Sequence, residues 1–382
     1  MKGKGVAAEK TDLKTTTKWE KSIGGKEAGY PLIENNQCYM TFYGNNQIQV
    51  LAINLINGEQ IWQTSLPYYK DVLPLTSDGQ RIFVQTNSSY RGNVFTLNRT
   101  SGNIEWTFKG KVLILSKHFP FIFNRAELLT SEIATSQKDV FIPLGASRLL
   151  ALNAETGEKR WEISLGWRYA PVKMDLIDNL IYWKVGGDFF KVIDAKSGEE
   201  ANSPLPEPVT SQIIKPDSVY CIDKQRLFLR IKKDTKDQIV CFDLTTGEKI
   251  WNVMEDFLFP IKCEDNNLYA YGKHRGKIFG AFDTKYSLIS IDKQTGKISW
   301  SVSSKLISFI QKKGNYILIN HEKNDSQLIA AEDGTILWDS KDFSEKRNIK
   351  GKVSCIMDEN GASMFLIIGD RLFCIKINTD SM

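Results

Sequence analysis

Few of the reactive side chains in this 382-residue sequence lie at spacings that would let them act together. The six cysteines, Cys38, Cys221, Cys241, Cys263, Cys355 and Cys374, form no C-x-x-C pair, and each falls in an apolar, strand-like stretch. Thiolate metal sites and redox pairs need closely spaced sulfurs, so these residues read as small buried hydrophobes. His118, His274 and His321 stand far apart, at no metal-ligand spacing. Ser88-Ser89 and Ser303-Ser304 have no base nearby, and Gly24-Gly25 lacks the strand-to-helix setting of a phosphate loop. No catalytic constellation emerges. What stands out instead is nine tryptophans.

Most of those tryptophans end a recurring frame. Around Ala151 the chain reads Ala151, Asn153, Thr156, Gly157, Glu158, Trp161, and the same order returns as Ala52, Asn54, Asn57, Gly58, Glu59, Trp62. Further copies are Asn98, Ser101, Gly102, Trp106; Asp243, Thr246, Gly247, Glu248, Trp251; Asp292, Thr295, Gly296, Trp300; and Asp333, Gly334, Trp338. A copy at Asp194, Ser197, Gly198, Glu199 places Asn202 where the tryptophan belongs.

Each part of the frame has a physical task. The apolar run before it, such as Val50 to Ile53 or Leu288 to Ile291, is rich in strand formers. The Asn or Asp folds its side chain onto the following amides, and the glycine takes a positive φ, which makes a tight hairpin. The tryptophan falls on the second strand of that hairpin, where its flat ring can pack on the neighbouring repeat. Two more apolar stretches split by a polar turn precede each hairpin, for example around Ser77-Asp78-Gly79-Gln80. Four antiparallel strands in 40 to 50 residues make a propeller blade.

The ends complete the count. After Trp338 the chain supplies three strand-like stretches and no fourth, whereas Lys18 to Ile23 looks like an outer strand, with Trp19, that has no hairpin before it. The expected fold is therefore all-β, an eight-bladed β-propeller of four-stranded antiparallel blades whose ring is closed by the N-terminal strand completing the C-terminal blade. The expected organisation is a flexible tail at 1–15, one propeller over 16–378 and a short tail at 379–382.

The frame A-x-D-x-x-T-G-x-x-x-W resembles the tryptophan-docking motif of the quinoprotein, or pyrroloquinoline-quinone-like (PQQ-like), β-propeller repeat family, over about residues 16 to 378. Within it, length and blade count are similar to the non-catalytic, BamB-like propellers of outer-membrane assembly. WD40 signatures do not recur, since Trp338-Asp339 is a single match. The resemblance implies one of two functions: a dehydrogenase holding PQQ and calcium, or a propeller that binds other proteins. The enzymes of the family are usually longer, and many carry two adjacent half-cystines beside the cofactor. Neither feature is found here, so the expectation is a scaffold or assembly factor with no catalytic, cofactor-binding or metal-binding residue. A PQQ-dependent dehydrogenase and a carbohydrate or small-ligand binder remain the alternatives.

Three insertions enlarge blades: from Thr107 to about Thr130, the proline-rich Ser203 to Pro216, and Gly272 to Phe282. By strand order they gather on one rim. Two of them mix cations with aromatics, and Lys117, Phe119, Phe121 and Arg125 with Lys273, His274, Arg275, Lys277 and Phe279 form the candidate partner-binding set. Growth of solvated loops would leave the same trace. Trp167 and Trp183, outside the frame, read as buried packing or as stacking surfaces.

Fifty basic against 45 acidic residues leave a net charge of only +5, too little for a chain that wraps nucleic acid. No apolar run reaches the ~18 residues of a membrane helix. The visible start, Met1 to Lys10, has no apolar stretch of signal-peptide length, which suggests a cytoplasmic protein. The family resemblance instead implies a periplasmic or outer-membrane-associated protein, held through a removed lipoprotein signal or through its partner.

Overall fold

The turns form from short-range chemistry alone. Asn153 Oδ1 accepts the amides of Glu155 at 2.8 Å and Thr156 at 3.0 Å, and Asp243 Oδ1 accepts those of Thr245 and Thr246, both at 2.8 Å. The glycine then donates its amide back to the Asn or Asp carbonyl, as Gly157 does to Asn153 at 2.9 Å with φ +72°, and in blade seven Gly334 donates to Ala330 instead, at 3.0 Å. Few residues other than glycine tolerate that φ, so the turn sequence dictates the hairpin.

The computed structural model describes residues 13–378 apart from 14, 30, 68, 70, 88–91, 111–132, 145–147, 165–170, 186–188, 203–219, 224, 234–235, 256–257, 279–280, 306 and 322–324. The described residues form eight antiparallel sheets, and the helix Ser340–Arg347 is the only α-helix among them. In chain order the blades cover residues 26–67, 71–109, 134–164, 171–194, 220–255, 258–304, 307–339 and 353–377. The strand Thr15–Ser22 completes the eighth by pairing with Arg371–Ile377, Trp19 opposite Cys374. The fold is the eight-bladed β-propeller that the repeat specifies. By internal packing the backbone divides into two compact units, Ile23–Ser203 with blades one to four, and Met1–Ser22 together with Pro204–Met382 with blades five to eight.

Within both units the core lies between blades. In the first unit Tyr39, Val50 and Trp62 of blade one bury against Ile82, Val84 and Phe95 of blade two. In the second, Cys241 and Trp251 of blade five meet Leu268 and Ile289 of blade six. The tryptophans fasten these boundaries. Each reaches the next blade's turn, where its indole N–H donates to the carbonyl of the residue after the Asn or Asp, or after Ala330, which takes that place in blade seven. The pairs are Trp62 to Arg99 (2.8 Å), Trp106 to Ala154 (2.9 Å) and Trp161 to Ala195 (3.1 Å) in the first unit. Trp251 to Lys293 and Trp300 to Ala331, both 2.9 Å, are the pairs in the second.

The glycine lies directly under the ring. A Cβ at Gly102 would stand 2.5 Å from the Trp62 indole, and one at Gly157, Gly198, Gly296 or Gly334 would come within 2.6 to 2.7 Å of the preceding tryptophan. Glycine is therefore required twice, once for its φ and once for its missing side chain.

A second regularity runs across the blades. Tyr39, Ala52 and Trp62 stand side by side on three adjacent strands, as do Phe83, Thr96 and Trp106; Phe141, Ala151 and Trp161; Phe228, Cys241 and Trp251; Tyr269, Ser290 and Trp300; and Phe365, Cys374 and Trp19. The outer rings approach to centroid separations of 5.7 to 6.2 Å over a small central residue. That is the range of favourable tilted aromatic pairs. Where Asn202 replaces the tryptophan, Asn202 is exposed and the outer strand of blade four shrinks to one bridge, Ile193 to Glu200.

Two glycines separate the requirements of the turn. Gly79 has φ +89° with nothing within 4 Å of a built Cβ, whereas Gly157 has φ +72° and the Trp106 ring 2.7 Å away. Gly79→Ala is expected to lose only the left-handed penalty of roughly 1–2 kcal/mol. Gly157→Ala should lose at least about twice that, because the indole must also move; equal losses in urea unfolding would show that the ring contact contributes nothing.

Candidate functional site

The insertion expected at Gly272 to Phe282 is not an irregular loop. Asn267–Ile278 and Ala281–Asp292 are the longest strands of the described residues, twelve residues each, and they pair continuously from Asn267 opposite Asp292 to Ile278 opposite Ala281. Their neighbours stop short: Leu258–Glu264 pairs only as far as Gly272, and Ile298–Ser304 only as far as Tyr286. Residues 273–278 and 281–285 therefore extend beyond blade six as two paired strands, a ribbon.

Register sets the content of that ribbon. Lys273, Arg275 and Lys277 occupy alternate positions of one strand, and residues two apart share a face. Opposite them stand Tyr286, Thr284 and Phe282. His274 falls on the other face, opposite Lys285. At the base of the first face the rings of Tyr271 and Tyr286 stack at 5.1 Å and 12°. Of the candidate partner-binding set, the structure thus brings Lys273, Arg275 and Lys277 into one row. Lys117, Phe119, Phe121, Arg125 and Phe279 lie outside the described residues, as do His118, Trp167 and the proline-rich stretch. The sequence reading missed the pairing of Phe282 and Tyr286 with the cationic row, because cross-strand register is not a property of either strand alone.

Other groups with chemical potential are committed to structure. Trp183 is fully buried in the core of the first unit, which satisfies the packing reading. His321 is buried beside Gln327, with Nε2 to Oε1 3.2 Å. Burial pushes the Cys241 thiol up to about 12 and Cys374 to about 11, so neither is a ready nucleophile.

The carboxylates most regularly placed for a cation are those of the turns, and they serve their own backbone. The Ser197 amide and hydroxyl hold Asp194 below the usual carboxylate range, the Thr246 amide does so for Asp243, and the Thr295 hydroxyl and amide for Asp292. Burial raises Asp223, but the Lys293 ammonium at 2.8 Å and the Gln225 and Arg226 amides together outweigh it and the net shift is downward. Among the described residues no three His, Cys, Asp or Glu side chains group as a metal site.

Over residues 7–253 and 235–375 the sequence matches the family model described as outer membrane protein assembly factor BamB. The chain belongs to this family. Solved structures similar to it include BamB from Moraxella catarrhalis (14% identity, 92% of this chain and 85% of that one, TM-score 0.40). Others are a quinohemoprotein alcohol dehydrogenase of Pseudomonas putida HK5 (9%, 96% and 77%, 0.41) and the Dos1 propeller (8%, 96% and 95%, 0.56). The likeness to the Dos1 propeller is one of fold alone. No curated protein matches the sequence. In this member of the BamB family no helix of the described residues is long and apolar enough to cross a membrane.

The turn carboxylates generate a pH prediction. Their folded pKa values lie below the unfolded value of about 3.9, so their contribution to stability is complete above that pH and is lost as pH falls through the folded values. Asn at positions 54, 98 and 153 makes the same turn without a charge. Combining Asp194→Asn, Asp243→Asn and Asp292→Asn should leave the melting temperature near neutrality almost unchanged and flatten its fall below about pH 4. A parallel acid limb in both proteins would exclude these groups as its source.

Proposed function

We propose that this protein is a non-enzymatic scaffold that binds a protein partner through the ribbon of residues 273–278 and 281–285. The observation that carries the reading is the register: three cations in a row, opposite two aromatic positions, on strands that continue past their blade. Within blade six Asn267–Ile278 and Ala281–Asp292 are the two middle strands, each paired on both sides. Beyond it no described strand pairs with either edge of the ribbon, whose positions are cationic and aromatic in sequence; open strand edges with such residues are usual components of a protein interface. Membership in a family described by an assembly factor supports a protein as partner. The cationic row favours an acidic surface on that partner.

The experiment combines Lys273→Glu, Arg275→Glu and Lys277→Glu. Crosslinking in cells of the source organism, read by mass spectrometry, should lose the partner of the parent protein at least tenfold, while circular dichroism and melting temperature stay the same. Undiminished crosslinking would remove the ribbon from the interface. Titration of the purified protein with pyrroloquinoline quinone and calcium is expected to give no saturable dye reduction with alcohols or sugars; turnover would replace the scaffold reading with a dehydrogenase.

A further inference from the structure

Two of the six cysteines meet in the second unit. Cys221 lies on the first strand of blade five, Tyr220–Ile222, opposite Phe228, and Cys263 lies on the first strand of blade six, Leu258–Glu264, opposite Leu268. These two first strands pack on one another, and both cysteines belong to the core between the blades, Cys221 buried and Cys263 partly buried against it. The Cys263 thiol is hydrogen-bonded to that of Cys221. Their wide separation in sequence gave no sign of this contact.

Packing alone does not call for sulfur here. The equivalent positions at the boundary of blades three and four are Ala134, opposite Phe141, and Leu176, opposite Ile181, and both pack into the apolar core there. Cys241 and Cys374 have a structural task as the small residue between two rings, Phe228 and Trp251 in one row and Phe365 and Trp19 in the other. Cys221 and Cys263 have no such task, because first strands lie outside the paired rings. Bridging two cysteines needs Cβ vectors that converge, and thiols that hydrogen-bond to one another across packed strands have converged.

We infer that Cys221 and Cys263 are a disulfide-forming pair that staples blade five to blade six, with a low-molecular-weight disulfide such as oxidised glutathione as the electron acceptor. The exchange runs in two steps. The thiol of Cys263, the more exposed of the two, loses its proton to solvent, and its sulfur attacks one sulfur of the external disulfide and releases the other as a thiolate. Cys221 then loses its proton and attacks the Cys263 sulfur, which closes the Cys221–Cys263 bond and expels the second thiolate. Two protein thiols are oxidised, one external disulfide is reduced, and the two released thiolates take up the two protons. Burial and the Cys221 hydrogen bond push the Cys263 thiol up, so exchange in the folded chain is slow near neutrality and accelerates as pH rises. The Trp251 indole and the Lys293–Asp223 ion pair cross the same boundary, and the disulfide adds a covalent tie to them. The pair and the ribbon are independent, and either can fail without the other.

The full chain is purified in the reduced state and incubated with oxidised glutathione from neutral to mildly alkaline pH. Remaining thiols are alkylated in urea, and the digest is read by mass spectrometry. The expected product is a peptide pair joined through Cys221 and Cys263, formed about tenfold faster for each unit of pH. The oxidised chain should melt several degrees above the reduced one. Cys221→Ala, which copies Ala134, and Cys263→Ala should each fold and lose that difference under the same oxidant. A second sample is refolded from urea in a glutathione redox buffer, so that closure does not depend on access to the folded pair. The inference is overturned if both thiols are alkylated in the two samples, if they are found only as glutathione adducts or joined to other cysteines, or if the linked chain melts no higher than the reduced one.

Discussion

An indole laid over a glycine that has no room for a side chain is the contact on which the blade boundaries of each unit depend. A four-stranded blade cannot bury both of its faces alone, so the stability of a propeller resides in what one blade offers the next. Here the offer is specific. The turn exposes one carbonyl and one glycine, and the preceding tryptophan uses both, with a hydrogen bond worth about 1 kcal/mol net and a burial term several times larger. The Asn or Asp does not touch the ring. Its task is to hold the turn in the shape that brings the carbonyl and the glycine to the indole.

The aromatic rows explain how the ring is held from its own side. An indole on an outer strand would be free to swing, but the Tyr or Phe two strands away braces it across a residue kept small. Blade seven departs from this rule informatively. Its row is Leu318, Leu328, Trp338, with no ring opposite and no small residue between. The missing brace comes from Phe343 on the helix Ser340–Arg347, which lies 6.3 Å from Trp338 and 5.4 Å, edge-on, from Phe373 of blade eight. Asp339 caps that helix through the Lys341 amide, so the residue after Trp338 starts the element that covers it. A helix thus stands at the one described boundary where the chain termini replace a turn.

Sequence reading reached the architecture because the frame is local. Turn, glycine and tryptophan fall within about ten residues, and repetition made a weak motif decisive. The bracing aromatics escaped because their distance is not fixed: Tyr39 precedes Trp62 by 23 residues, while Tyr269 precedes Trp300 by 31, the ribbon having been inserted between them. The second role of the glycines was hidden for a related reason, since φ is a property of the turn but the clash is with a residue about forty positions away. The candidate site was legible in composition and not in form. Clustered cations and aromatics flagged Gly272 to Phe282, yet only the register shows Lys273, Arg275 and Lys277 in one row.

That row invites a simpler explanation, which the same geometry limits. Lysine on exposed strands discourages edge-to-edge aggregation, and a ribbon with two open edges needs such protection. Protection, however, is served by charge at any exposed position and gains nothing from aromatic residues, which raise the risk it is meant to reduce. Opposite Lys273 and Lys277 stand Tyr286 and Phe282, and the stacked pair Tyr271 and Tyr286 carries the same aromatic face back into the blade. Extending two strands past their neighbours also gives up the ladder bonds that Leu258–Glu264 and Ile298–Ser304 supply elsewhere. A lengthened hairpin that forgoes those bonds and sets aromatic positions opposite its cationic ones gains nothing as a protected edge, and it is this surplus that supports the proposed role of the ribbon, rather than of the blades that carry it.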